Sequence, residues 1–258
     1  MLALGVTPTG MVRHDSFESG SAPWVEAALG KARPEIFDGA TGLPFEKIAA
    51  LRPDLIVATD DYGLADNFAR LSQIAPTVSY VDGVESDTWQ QRATHIGQAL
   101  GREAATEQLI VDITAKVMEA ALANPGFAGK TLSYFYASQG EIRAITGGDA
   151  GLALLRQLGL TISPKLAGLP QADSPGRSSV SPENIGLLDA DVMLASYPTD
   201  ADRTFLESNP LVPRLNAVRG GTYVIIDQPV SVALAFPSVL SIPYALDRTV
   251  TAIADALA

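Results

Sequence analysis

One pattern occurs twice at a constant offset, and it constrains the fold more than any other feature of the chain. Residues 46–59 read EKIAALRPDLIVAT, and residues 183–196 read ENIGLLDADVMLAS. Glu46, Ile48, Leu51, Asp54, Ala58 and Thr59 pair with Glu183, Ile185, Leu188, Asp191, Ala195 and Ser196, every pair separated by 137 positions, as 46 and 183 are. Each copy is a physical unit. Ile and Leu three apart face one side of a short helix, Asp closes its turn, and the next apolar run has the length of a buried parallel strand. A generic helix–strand unit matches another at a few positions, but six matches at one offset point to two homologous half-domains. Two such α/β lobes are expected to leave a cleft between them. Ligands in α/β folds bind beyond the carboxyl ends of strands, so the loops that follow the two copies are the first candidates for a site.

The rest of the chain fits this reading. Residues 55–59, 77–81, 131–137, 192–196 and 222–227 are apolar runs of strand length, separated by segments of helical spacing. Alternating units of this kind predict an α/β fold with mostly parallel sheet. Residues 102–123 differ: Leu109, Ile110, Ile113, Val117, Ala120 and Ala121 recur at steps of three and four, with no Gly or Pro between them. A helix of that length measures about 33 Å. It reads either as an ordinary surface helix or as a bridge between lobes, and its place near mid-chain suits the bridge. The expected division is therefore an N-terminal lobe over residues 1–101, a connecting helix over 102–124 and a C-terminal lobe over 125–258.

Composition removes several function classes. The 258 residues are 47% hydrophobic and 18% charged, enough apolar material for a real core. A net charge of −11 without any basic run argues against a nucleic-acid partner. Cysteine is absent, which excludes disulfides, thiolate metal sites, cysteine nucleophiles and the usual iron–sulfur ligands. The only histidines are His14 and His95, too few for the histidine and carboxylate cluster that bare zinc or manganese requires. No G-x-S-x-G nucleophile elbow occurs, so no catalytic residue is assigned. Residues 124–131 (NPGFAGKT) echo a phosphate loop, but Asn124 stands where its first glycine belongs and the segment precedes a strand instead of following one. It is read as a turn. The most apolar stretch, residues 230–246, is broken by Pro237 and Pro243 and is too short to span a bilayer.

Residues 3–8 (ALGVTP), 43–59 (LPFEKIAALRPDLIVAT), 71–78 (LSQIAPTV), 96–102 (IGQALGR) and 206–227 closely resemble iron–siderophore-binding proteins of ABC importers, in the helix-linked class of periplasmic binding proteins that also includes cobalamin and haem binders. The resemblance covers nearly the whole chain. It implies two Rossmann-like α/β lobes joined by a long rigid helix, a ligand cleft between them, no enzymatic activity and a monomeric protein. It also implies that one glutamate per lobe engages arginines of the permease subunits, and those glutamates match Glu46 and Glu183. Each also sits where an acidic residue complements a helix dipole, a compatible role. The family is extracytoplasmic, in the periplasm or as a surface lipoprotein. Its members begin with a secretion signal and a strand ahead of ALGV, and Met1 to Gly10 carries neither, so a start trimmed or placed late relative to the family is expected.

The implied ligand is a ferric siderophore, with cobalamin or haem as the alternative; no cofactor is implied. A ferric chelate needs cationic donors and aromatic walls instead of metal ligands, because the chelator already fills the iron's coordination shell. Arginine supplies a rigid charged fork for its oxygens, and aromatic faces cover its flat arms. Arg177 leads the candidates, in residues 174–179 (SPGRSS) just before the second copy, where the family places contacts. Tyr62 and Tyr197 follow the two repeat strands. Arg13 and Trp24 lie in the N-terminal loop region, Tyr136 near a strand end, Arg143 after it, and Phe236 in a late loop. Each has the plainer alternative of a packed aromatic or a solvated arginine.

Overall fold

Both copies of the repeated pattern place their apolar residues inward in the computed structural model of the chain, which describes residues 1–84, 86–172 and 176–258. Two compact units emerge: Met1–Asp112 with Ser238–Leu240, and Ile113–Pro237 with Ser241–Ala258.

The first unit carries β1 (Gly10–Val12), α1 (Pro23–Leu29), β2 (Glu35–Phe37), α2 (Phe45–Ala50), β3 (Ile56–Val57), α3 (Leu64–Ile74), β4 (Thr77–Val78) and α4 (Trp89–Ala99). Its strands form two short parallel pairs, β1 with β2 and β3 with β4, so among the described residues no continuous sheet runs through this unit. The expected strands over 55–59 and 77–81 shrink to two residues each. Pro76 has no N–H to donate, so it contributes only its carbonyl, which accepts from Ile56 N at 2.9 Å. Ile48, Ala58, Leu64, Leu71 and Phe37 form the core, with Leu51 and Ile56 of the same repeat packed against it.

The helix α5 spans Glu103–Ala123, with Glu103–Asp112 counted in the first unit and Ile113–Ala123 in the second. Ile113 and Val117 of its periodic face are buried, whereas Val111, Met118 and Leu122 are exposed.

The second unit continues with β5 (Thr131–Ser138), β6 (Glu141–Ile145), α6 (Ala150–Gln157), β7 (Thr161–Ile162), α7 (Pro164–Ala167), β8 (Arg177–Val180), β9 (Val192–Ser196), α8 (Asp200–Glu207), α9 (Asn216–Arg219), β10 (Tyr223–Ile226), α10 (Gln228–Ala235) and α11 (Ser241–Leu257). Its sheet runs β10-β9-β5-β6-β8, with β7 pairing the start of β5. The strands β10, β9 and β5 are parallel, as the sequence predicts, but β6 and β8 are antiparallel additions that it did not reveal. The second repeat helix also departs from expectation. Pro182–Leu188 is a 3-10 helix with a non-helical Asn184, where Phe45–Ala50 is an α-helix. Asn184 and Gly186 are weak helix formers, and three-residue bonds replace four-residue ones here. Its Ile185 and Leu188 are nonetheless fully buried, against Phe135, Ala137, Met193 and Ala195.

Candidate ligand-binding site

The period of two along a strand separates the two faces of the β5–β6–β8 sheet. Phe135 and Ala137 of β5, Ile142 and Ala144 of β6 and Val180 of β8 enter the hydrophobic core. The residues between them point the other way. Tyr136 pairs with Arg143, and Arg143 with Ser179, so a tyrosine, an arginine and a serine stand in one row across three strands. On that face lies a cavity of about 440 Å³ lined by Tyr136, Ser138, Gln139, Glu141, Arg143, Ala172 and Arg177.

The turn that joins β5 to β6 shapes its rim. Gln139 and Gly140 both have positive φ, 52° and 78°, the signature of a two-residue type I′ hairpin. Gln139 N–H also donates to Asp202 Oδ1 at 2.7 Å, tying the turn to the first turn of α8.

Both arginines of the cavity are held in place. Arg143 donates through Nε and Nη2 to Glu141 Oε2 at 3.1 and 2.7 Å, and through Nη1 to Ser179 Oγ at 2.7 Å. Arg177 Nη2 lies 3.4 Å from Asp149 Oδ2, while Asp149 Oδ1 accepts Leu152 N–H at 2.9 Å and caps α6. Behind them Tyr134 is fully buried, and burial pushes its phenol well above the usual range, so it stays neutral and hydrogen-bonds Ser231. Ser231 Oγ in turn donates to Ser196 Oγ at 2.9 Å, the last residue of β9.

Three of the predicted ligand residues, Tyr136, Arg143 and Arg177, therefore come together. Arg177 opens a strand instead of sitting in a loop; Ser174 and Pro175 of the same segment lie outside the described residues. Tyr197 does not line this cavity. Ser196 pairs with Tyr136 and shares its face, so the next side chain turns to the core, where the Tyr197 hydroxyl hydrogen-bonds that of Tyr223. Burial raises the phenol of Tyr197, and pushes that of Tyr223 up to about 12. Phe236 ends α10 and is exposed. The other candidates belong to the first unit. Arg13 donates to the Glu18 and Phe17 carbonyls at 2.8 and 3.3 Å, and Trp24 of α1 meets the Phe17 ring edge-on at 6.0 Å. Tyr62, just before α3, is exposed.

Sequence reasoning missed Ser138, Gln139, Glu141 and Ala172 of the lining, and Asp149 behind it. The Gln139–Gly140 dipeptide between two alternating runs was the available signal. Glu46 and Glu183 are both exposed, each in the first turn of its repeat helix, with Ile48 and Ile185 buried two residues on. Among the described residues no group of three or more His, Asp or Glu could hold a metal ion, and no helix is long and apolar enough to cross a membrane.

Two α/β units, one of them bearing a polar cavity walled by two arginines, have the architecture of a solute-binding protein. Residues 21–230 match the family described as periplasmic binding protein, and the chain belongs to that family. Among solved structures, a periplasmic solute binding protein from Mycobacterium smegmatis is 32% identical, with a TM-score of 0.84 over 100% of this chain and 88% of that one. PiaA from Streptococcus pneumoniae, solved in complex with ferrichrome, is 25% identical, with a TM-score of 0.80 over 99% of this chain and 88% of its own. FhuD2 from Staphylococcus aureus, solved with bound ferrioxamine B, shares the fold at 16% identity, with a TM-score of 0.77 over 99% of this chain and 93% of its own. No curated protein matches the chain.

Proposed function

We propose that this protein captures a ferric siderophore outside the cytoplasm and delivers it to an ABC importer, acting as a receptor and not as an enzyme. The observation that carries the reading is the convergence of Arg143, Arg177 and Tyr136 on one cavity. Guanidinium groups suit the oxygen-rich surface of an iron chelate, and the tyrosine supplies a face for a flat ligand arm. Arg143, Arg177 and Tyr136 are assigned to the ligand on this basis. The likeness to a pneumococcal protein crystallised with ferrichrome, across nearly the full chain, supports the same class of ligand. Glu46 and Glu183, exposed at equivalent points of the two repeats, are assigned to the permease subunits. The protein works as a monomer, in the periplasm or anchored at the cell surface.

The test is a titration of intrinsic fluorescence, from Trp24 and Trp89, against ferric hydroxamates, ferric catecholates, ferric citrate, haem and cobalamin. Saturable quenching by an iron chelate is expected. Quenching by haem or cobalamin alone would move the protein to another ligand of the same family, and no response to any iron chelate would overturn the reading.

A further inference from the structure

The charges of the cavity carry more than its shape. Its charged lining residues among the described ones are Arg143, Arg177 and Glu141. Each arginine already faces a carboxylate. Arg177 is paired with Asp149, whose side chain is only 5% exposed, so that charge is compensated from behind the wall. Arg143 is paired with Glu141 at 2.7 Å, and here the carboxylate lines the cavity itself with 62% of its side chain exposed. The two cations are thus balanced by two anions, one of which a bound ligand meets directly.

An iron(III) centre held by three hydroxamates has no net charge, whereas three catecholates leave it a trianion. A trianion brought into this cavity finds no excess positive charge and lies beside a glutamate, in surroundings where like charges repel more strongly than in bulk water. A neutral chelate requires no surplus of positive charge to be held there by hydrogen bonds. The net charge of −11 acts in the same direction at longer range, although salt screens that part. Resting on the siderophore reading above, we propose that this cavity selects ferric chelates without net negative charge, and that Glu141 is the residue that rejects polyanionic ones. Nothing in the packing requires a carboxylate at position 141. It follows directly on the hairpin turn at the rim, and a glutamine there keeps an acceptor for Arg143 while removing the charge.

The experiment compares a neutral ferric trihydroxamate with a ferric tricatecholate by fluorescence quenching at about 0.15 M salt, where long-range repulsion is screened. Wild-type protein is expected to bind the trihydroxamate at least about tenfold more tightly. Glu141→Gln should shift the ratio of the two affinities toward the catecholate by about tenfold, and Glu141→Lys should shift it further, a graded response to charge that a packing defect does not produce. Equal or tighter catecholate binding by wild-type protein, or a ratio that Glu141→Gln and Glu141→Lys leave unchanged, would overturn the selection by Glu141 while leaving siderophore capture intact. Binding of neither chelate would overturn both.

Discussion

Arg177 and Asp149 share one carboxylate with a helix terminus: Asp149 Oδ2 faces the guanidinium at 3.4 Å, and its Oδ1 caps α6 through Leu152 N–H at 2.9 Å. A residue assigned to the ligand is therefore oriented by a group whose other oxygen holds the scaffold. Asp149→Ala should lose both functions and destabilise the protein by about 2–3 kcal/mol, the sum of a lost N-cap and a lost ion pair to a partly desolvated cation. Asp149→Asn keeps a capping oxygen and should cost less. Urea denaturation of the two variants decides the matter, and equal losses would show that the cap contributes nothing.

The approach to Arg177 is constrained by backbone contact. Gly176 has φ +69°, and a Cβ there would lie 1.7 Å from the carbonyl oxygen of Gly147. That oxygen cannot withdraw easily, because Thr146 and Gly147 both donate N–H to the Gly176 carbonyl, at 2.8 and 3.3 Å. Gly176→Ala is expected to cost about 2–4 kcal/mol and to weaken ligand binding by displacing Arg177. Gly148 supplies the control: its φ is +63° and a Cβ there would meet nothing within 4 Å, so Gly148→Ala should cost only the left-handed strain, about 1–2 kcal/mol. Thermal or urea unfolding of both separates steric clash from conformational strain.

Acid should act on the seam between β5 and β9. Asp191 accepts Thr131 N–H at 2.7 Å and Thr131 Oγ at 2.8 Å, and these bonds, the backbone one foremost, hold its carboxyl below the usual carboxylate value of 3.8. A carboxyl whose folded pKa is depressed contributes stability above its unfolded pKa and loses it as pH falls through the folded one. Stability should thus be level near neutrality and decline below about pH 4. Asp191→Asn should be less stable than wild type at pH 7 and show a shallower acid decline. Urea midpoints measured from pH 2.5 to 7 test this, and parallel curves for the two proteins would assign the decline to other carboxylates.

What was legible in the sequence followed from periodicity, and what was missed followed from parity and pairing. The repeated helix–strand unit exposed two α/β halves, because burying Ile48, Ile185 and the strands behind them demands those residue types at that spacing. The strand over 131–138 was equally plain. Its partners β6 and β8 were not, since Arg143 interrupts the apolar run of β6, β8 has Val180 as its one apolar residue, and only long-range pairing makes them strands. Tyr197 shows the cost of ignoring parity. It follows β9 as expected, but Ser196 shares the face of Tyr136, so the tyrosine falls on the core side. Arg177, Arg143 and Tyr136 met in one cavity because their strands place them on one face, a relation that composition does not reveal.

The two repeat glutamates invite the remaining prediction. Glu46 and Glu183 are 137 positions apart, lie in the first turns of their helices two residues before a buried isoleucine, and are both exposed. Neither lines the cavity, so their proposed role at the permease is separable from capture. Reversing each charge also opposes a helix dipole, at a cost of about 0.3–1 kcal/mol apiece, small against the stability of an ordinary domain. The double variant Glu46→Arg, Glu183→Arg should therefore remain folded and bind its ligand with unaltered affinity. If each glutamate meets an arginine of one permease subunit, the reversal turns two attractions into two repulsions, and uptake in cells should fall by at least about tenfold, with each single variant intermediate. Compensating Arg→Glu changes in the permease should restore transport, which a folding defect in the receptor would not allow. Full uptake by the double variant, with binding intact, would leave the glutamates with only their local role at the helix starts.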